Sequence, residues 1–252
     1  MKLDRRMQII DMVTKNRTVK NAELMEKFDI SIETVRRDLE YLESQGYLRR
    51  VYGGAVANVS LGSEPEYASR AKAREGEKNA IAVAAAKLIC PEEAIYLGVG
   101  TTVQAMAQHI PSLANITVFT NALRTAVELS EIPGCHVILS GGSLRSKELT
   151  LSGFPAEQNL SCFNVDKAFI GIGGITADGV TDFHTGEAQL HRQLIKNATK
   201  SIVLADSSKL GIRAMNNVCP LSDIDMVITD AKAPKQLIKD IESQGVKVIV
   251  AK

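Results

Sequence analysis

The chain has 252 residues, a formal net charge of +1 and 45% hydrophobic residues, enough for a sizeable core and for a small domain beside a medium one. Its four cysteines (Cys90, Cys135, Cys162 and Cys219) form no C-x-x-C pair and tryptophan is absent, which disfavours disulfide and zinc frameworks and stacking-based capture of single-stranded nucleic acid. The opening MKLDRRMQII is charged where a signal peptide needs an apolar core, and no apolar run reaches the length of a membrane span, so a cytoplasmic protein with free, buried thiols is expected.

In chain order, Leu3, Met7, Ile10 and Val13 fall on one stripe at helical spacing. A short second helix fits Asn21–Phe28, with Ala22, Leu24, Met25 and Phe28 on its apolar face. Asp29-Ile30 makes a turn, Ser31 caps a third helix with the stripe Val35, Leu39 and Leu42, and Gly46 ends it. YLRRVYGGAVA then reads as two strands around Gly53-Gly54, a dipeptide that permits the positive φ angles of a hairpin. Residues 1–57 thus read as one domain, with 11 basic and 9 acidic residues, and residues 58–76 as a polar linker running into a helix.

From residue 77 to 252 the rhythm changes. Apolar runs rich in β-branched residues recur as AIYLGVG, ITVFTN, HVILSGG, KAFIGIGG, SIVLAD, DMVITD and VKVIV. Most are separated by helix-compatible stretches at 102–110, 122–131, 185–198 and 233–243. Continuous apolar strands alternating with helices predict a mostly parallel sheet covered on both faces.

The third helix leaves Ser31, Thr34, Arg36 and Arg37 outward or flanking, with Thr34 and Arg37 on one face near its N-terminus. That end of a recognition helix enters the major groove, where an arginine can pair with guanine and a threonine can meet a thymine methyl or a phosphate. Arg49, Arg50 and Tyr52 on the hairpin can reach a neighbouring phosphate or the minor groove, and Arg5 and Arg6 can hold the DNA backbone. Solvated helix charges paired with Glu33 and Glu40 are the competing reading of Arg36 and Arg37; the ordered succession of short helix, turn, capped helix and Gly-Gly hairpin favours DNA.

The apolar runs of the second domain end in Gly98-Val99-Gly100-Thr101-Thr102, Thr120-Asn121, Ser140-Gly141-Gly142-Ser143-Leu144-Arg145, Gly171-Ile172-Gly173-Gly174, Asp206-Ser207-Ser208-Lys209 and Thr229-Asp230. In a parallel sheet these ends share one edge, where ligands bind. Glycines let backbone N–H groups approach a phosphate, and Arg145 and Lys209 supply positive charge. The expected effector site therefore comprises Gly98, Gly100, Thr101, Thr102, Thr120, Asn121, Gly141, Gly142, Arg145, Gly171, Gly173, Glu187 and Lys209.

The stretch FDISIETVRRDLEYLESQGYLRRVYGGAV closely resembles the N-terminal signature of the DeoR family of bacterial sugar-metabolism regulators, through Phe28, Thr34, Arg36, Arg37, Asp38, Leu39, Leu42, Gly46, Leu48, Arg50 and Gly53-Gly54-Ala55. The second domain resembles the same family's effector domain, from Glu77-Lys78-Ile81-Ala82 through the GTT and TNA turns to GG-x-L-R, FIGIGGI, LADSSKLG and ITDA. The resemblance implies a winged helix-turn-helix, its motif running from about Lys20 to Glu40, ahead of an α/β domain similar to ribose-5-phosphate isomerase. It also implies a sugar phosphate or phosphorylated intermediate as inducer.

That kinship makes a sugar-phosphate isomerase carrying a DNA-binding domain the rival reading. The isomerases place an Asp-Gly-Ala-Asp motif after a strand, whereas the corresponding Gly171–Ile175 turn carries no carboxylate; Asp182, His184 and Glu187 lie downstream and can contribute to the pocket. His184 and His191 lack a metal-ligand partner at a plausible spacing, and neither a P-loop nor a dinucleotide fingerprint occurs. The expectation is a repressor with no cofactor, metal or membrane partner. It binds double-stranded operator DNA as a homodimer or homotetramer, and a phosphorylated sugar acts as effector.

Overall fold

A computed structural model describes residues 2–16, 18–44, 47–57, 64–112 and 115–252. The N-terminal unit runs α1 (Lys2–Asn16), β1 (Thr18–Lys20), α2 (Asn21–Phe28), α3 (Ile32–Ser44), β2 (Leu48–Val51) and β3 (Gly54–Ala57). The stripes close on each other: Ile9, Ile10, Val13, Leu24, Val35, Leu39, Leu42 and Leu48 are buried in one cluster. Met25 and Phe28 pack at its margin, while Ala22 is exposed. Gly46 lies outside the described residues. The wing holds one strand more than the sequence predicts, because β1 pairs antiparallel with β3 and makes the order β1-β3-β2. A Cβ on Gly54 would stand 2.0 Å from the Val19 carbonyl oxygen, so this close strand approach needs glycine.

The segment from Glu64 carries α4 (Tyr67–Lys72) and leads into α5 (Glu75–Ala86); residues 58–63 of the expected linker lie outside the described residues. There follow β4 (Ala94–Leu97), α6 (Thr101–Ala107), β5 (Ile116–Thr120), α7 (Leu123–Ser130), β6 (Cys135–Leu139), β7 (Ser143–Arg145), β8 (Thr150–Ser152) and α8 (Phe154–Ser161). The chain then forms β9 (Val165–Gly171), β10 (Gly174–Thr176), β11 (Gly179–Asp182), α9 (Thr185–Asn197) and β12 (Ala198–Leu204). It ends in β13 (Asn216–Cys219), β14 (Met226–Asp230), α10 (Lys235–Glu242) and β15 (Lys247–Ala251).

The seven predicted apolar runs become a seven-stranded parallel sheet in the order β15-β14-β12-β9-β4-β5-β6. Alternate residues feed two cores. Ile170 and Val203 join Leu190 and Leu194 of α9 and Ile241 of α10 in one cluster, while Phe169, Ile202 and Leu204 join Ile81 and Ala85 of α5 and Met106 of α6 in the other. The sheet is therefore covered on both faces, and its continuous apolar runs follow from that. The expected winged helix-turn-helix ahead of a mostly parallel α/β domain is the fold observed.

Two features depart from a plain strand–helix alternation. The β7–β8 ribbon and the antiparallel sheet β10-β11-β13 are built from strands of three or four residues in which at most a single apolar side chain, such as Leu151, Ile175, Val180 or Val218, is buried. The cysteines correct another expectation: all are free, but Cys90 and Cys162 are exposed and Cys135 and Cys219 only half-buried. Among the described residues no helix is long and apolar enough to cross a membrane.

Candidate functional site

The candidate recognition surface begins with the cap of α3. The Thr34 N–H donates to Ser31 Oγ at 3.4 Å, and the two side-chain hydroxyls lie 3.2 Å apart. The buried stripe of α3 turns Arg36 and Arg37 into solvent, and Arg49 and Tyr52 are likewise exposed, Tyr52 fully so at the hairpin tip. Three other predicted contacts are engaged within the protein. Arg5 and Arg6 each direct Nε to one oxygen of Asp38, both at 2.7 Å, and Asp38 is 1% exposed. Arg6 also lies over the Tyr41 ring at 3.7 Å. Arg50 pairs through its Nε with Glu43 at 2.7 Å, and its backbone N–H donates to the other Glu43 oxygen at 2.8 Å. These contacts orient α3 and the wing.

In the C-terminal unit the strand order reverses between β4 and β9, the crevice where open α/β sheets take ligands. The loops after these strands touch there: a Cβ on Gly171 would come within 2.2 Å of the Val99 carbonyl oxygen. A cavity of about 20 Å³ opens beside them, lined by Glu64, Arg70, Val99, Gly100, Glu148, Gly171, Ile172, Asp182 and Glu187. Arg145 donates through one nitrogen to Glu187 Oε1 at 2.9 Å and through another to Glu64 Oε2 at 3.0 Å. Arg70 pairs with Glu148 and, at 3.1 Å, with the second Glu64 oxygen. Thr150 Oγ1 also donates to Glu187 at 2.9 Å. The result is one chain of alternating charge, Glu187–Arg145–Glu64–Arg70–Glu148.

Burial, reinforced by the Asp182 carboxylate, pushes the Glu187 carboxyl up to about 7. Burial likewise holds the Lys209 ammonium below its ordinary value; it sits 5.8 Å from the centre of the Phe183 ring. Burial, with the Arg145 charge, lowers the His184 imidazole. Asp182 Oδ1 accepts from the Phe183 N–H at 2.7 Å, at the start of α9. His191 is wholly buried, its Nδ1 3.5 Å from Asp182 Oδ2, and neither ring nitrogen is hydrogen-bonded.

Of the expected effector residues, Gly100, Gly171 and Glu187 line this cavity and Arg145 bridges two of its carboxylates. Thr101 faces a neighbouring groove of about 480 Å³ between α4, α5 and α6, and Thr102 is buried. Gly98 and Gly173 are packing positions: a Cβ would stand 3.3 Å from His191 Nε2 at the first and 3.0 Å from Asp182 Cα at the second. Asn121 accepts from the Tyr96 hydroxyl at 2.5 Å and donates to the Leu151 carbonyl at 2.9 Å, while Thr120 Oγ1 accepts from the Ala122 N–H at 3.1 Å. Gly141 and Gly142 turn the chain toward β7 at positive φ, and Gly142 abuts Ser152. None of Gly98, Thr101, Thr102, Thr120, Asn121, Gly141, Gly142, Gly173 and Lys209 lines the cavity wall.

The Gly171–Ile175 turn carries no carboxylate, yet the crevice is rich in them, because Glu64, Glu148, Asp182 and Glu187 arrive from elsewhere in the chain. Glu64, Arg70 and Glu148 are the members that sequence reasoning passed over. Glu64 and Arg70 lie in a polar, charge-dense segment that looks like solvated linker, and only tertiary folding shows that its charges turn inward. Among the described residues no cluster of His, Cys, Asp and Glu is arranged to hold a metal ion.

Comparison with known families places both halves. Residues 5–60 match the DeoR-like helix-turn-helix domain, and residues 73–231 match the DeoR C terminal sensor domain. The chain belongs to the DeoR family. It is 34% identical to the HTH-type transcriptional repressor GlcR of Bacillus subtilis over 98% of this chain and 95% of that protein. It is 32% identical to the glycerol-3-phosphate regulon repressor of Escherichia coli over 95% of each. Among solved structures, a ribose 5-phosphate isomerase from Methanocaldococcus jannaschii aligns over 55% of each chain at 18% identity and a TM-score of 0.38. That likeness is of shape only. This DeoR-family chain is a DNA-binding transcriptional regulator and not an enzyme.

Proposed function

We propose that this regulator represses a sugar-catabolism operon in the cytoplasm and that a phosphorylated sugar or related metabolite, bound at the β4–β9 crevice, changes its affinity for the operator. In this reading residues 1–57 bind DNA, 58–76 link, and 77–252 bind effector and assemble the protein into a homodimer or homotetramer. Arg37, Arg36, Thr34 and Ser31 meet the major groove, and Arg49 and Tyr52 reach the flanking backbone or minor groove. Arg5, Arg6 and Arg50 act by orienting those elements through Asp38 and Glu43.

The observation that carries the effector reading is the convergence of Arg145 and Arg70 on one carboxylate at the switch point of the sheet, since paired guanidinium groups recognise phosphate as they recognise carboxylate. The name of the glycerol-3-phosphate regulon repressor agrees with a phosphorylated effector. Thermal-shift screening against phosphorylated sugars tests this directly: a ligand selective for the folded protein raises its melting temperature. The same compound must change operator affinity in a gel-shift titration. A panel that produces neither effect contradicts the proposal.

A further inference from the structure

We infer that Glu64 is an internal competitor for the effector's anionic group, a carboxylate latch that closes the sensor crevice with the interdomain segment and is expelled when ligand binds. This rests on reading the crevice as the effector site. Three observations carry it.

The first is space. A cavity of about 20 Å³ holds little more than one water by the usual measure, so a phosphorylated sugar enters only if a wall moves. Most of the lining belongs to β4, β9, β11 and α9 or to the loops that follow them; Glu64 and Arg70 belong to the segment that joins the DNA-binding unit to the sensor.

The second is charge. Around the cavity two guanidinium groups, Arg70 and Arg145, face the carboxyls of Glu64, Glu148, Asp182 and Glu187. Adding a phosphate dianion to that set leaves more negative charge than the two arginines and the nearby Lys209 ammonium balance. Removing Glu64 restores part of the balance and vacates the position shared by both guanidinium groups. Burial that keeps Glu187 partly protonated near neutral pH works in the same direction.

The third is chemistry. Glu64 presents one oxygen to Arg70 at 3.1 Å and the other to Arg145 at 3.0 Å, a bridging arrangement that a phosphate can reproduce atom for atom. The tether makes the carboxylate a ligand of high local concentration, and its expulsion frees the stretch of chain that leads back toward the wing. Effector occupancy is thereby expressed as release of the interdomain segment.

The test is calorimetric titration of inorganic phosphate, at low ionic strength, into the full-length wild-type protein and the Glu64→Gln variant. Circular dichroism and melting temperature serve as folding controls. A latch closed roughly nine-tenths of the time weakens apparent affinity about tenfold, so Glu64→Gln should bind phosphate about tenfold more tightly, and Glu64→Ala should shift it the same way. Hydrogen exchange across residues 64–72 should rise in wild type on adding phosphate. Equal affinity in wild type and Glu64→Gln overturns the latch, while loss of that binding in Arg145→Met leaves the effector-site reading standing. No phosphate binding by any of these proteins overturns both.

Discussion

The Tyr47 hydroxyl donates a 2.8 Å hydrogen bond to the main-chain carbonyl of Ser207, tying the foot of the wing to the loop after β12. The same loop receives Arg74, whose guanidinium donates to Ser207 Oγ at 3.0 Å. Asp230 anchors it from the neighbouring strand by accepting from the Ser207 N–H at 2.6 Å. Two residues on, Lys209 sends its buried ammonium toward Phe183. One loop therefore touches the DNA-binding unit, the segment that follows it and Phe183 of the C-terminal unit. Burial pushes the Tyr47 phenol up to about 12, so the bond keeps its donor throughout the physiological range. Tyr47→Phe leaves the Ser207 carbonyl without its partner and is expected to cost about 1–3 kcal/mol. Urea unfolding of the full chain checks that value.

Asp38 carries a different load. It is a buried carboxylate whose two oxygens are each claimed by a guanidinium group from α1. Asp38→Ala strands two partly buried arginines, and the expected loss is about 3–5 kcal/mol of stability in the N-terminal unit. Operator binding should fall with it, because α1 no longer fixes the angle of α3. Denaturant unfolding followed by far-ultraviolet circular dichroism separates this variant from one that merely loses a DNA contact.

Arg37, the preceding residue, makes the contrast. It is exposed, so Arg37→Ala should leave folding stability within about 0.5 kcal/mol of wild type. Specific operator binding should weaken by about 1–3 kcal/mol if the side chain reads a base, with relaxed sequence preference at that position. Gel-shift titrations with operator and with a mutated operator measure both quantities.

Glu187 gives the stability a pH dependence of definite sign. Its folded-state value, about 7, lies above the ordinary 4.5, so between these values the folded chain holds more protons at this site than the unfolded chain. Its contribution is therefore most favourable at low pH and is lost as pH rises through about 7. Between pH 5.5 and 8 the expected change from this group is about 2 kcal/mol in favour of the acidic side. Glu187→Gln, which can still accept from Arg145 and Thr150, should remove that component; paired urea titrations at the two pH values test it.

Much of this architecture is legible in the residues. The α2 helix occupies Asn21–Phe28 as its apolar spacing and the following turn require, and each of the seven apolar runs becomes a strand of the parallel sheet. Such runs encode burial on two faces, which is a local property of the chain. The crevice is less legible because its members meet only in the fold. Glu64, Arg145 and Glu187 come from three distant segments, and nothing local tells a solvated Glu64 from one bridging two arginines. Polar strand ends mislead in the opposite direction: Thr120 and Asn121 have the residue types of a phosphate site but spend their polar atoms on Ala122, Tyr96 and Leu151. Similarly, Arg5 and Arg6 have the charge of a DNA contact, and what engages them is a carboxylate buried in their own domain.

The most direct test of the effector site is an operator titration carried out with and without a phosphorylated sugar that raises the melting temperature, in wild type and in Arg145→Met. The expected result is a shift in operator affinity of roughly five- to 150-fold in wild type, the range of ordinary allosteric couplings. In Arg145→Met the shift should be absent. A shift of the same size in both proteins would contradict the sensor crevice described here.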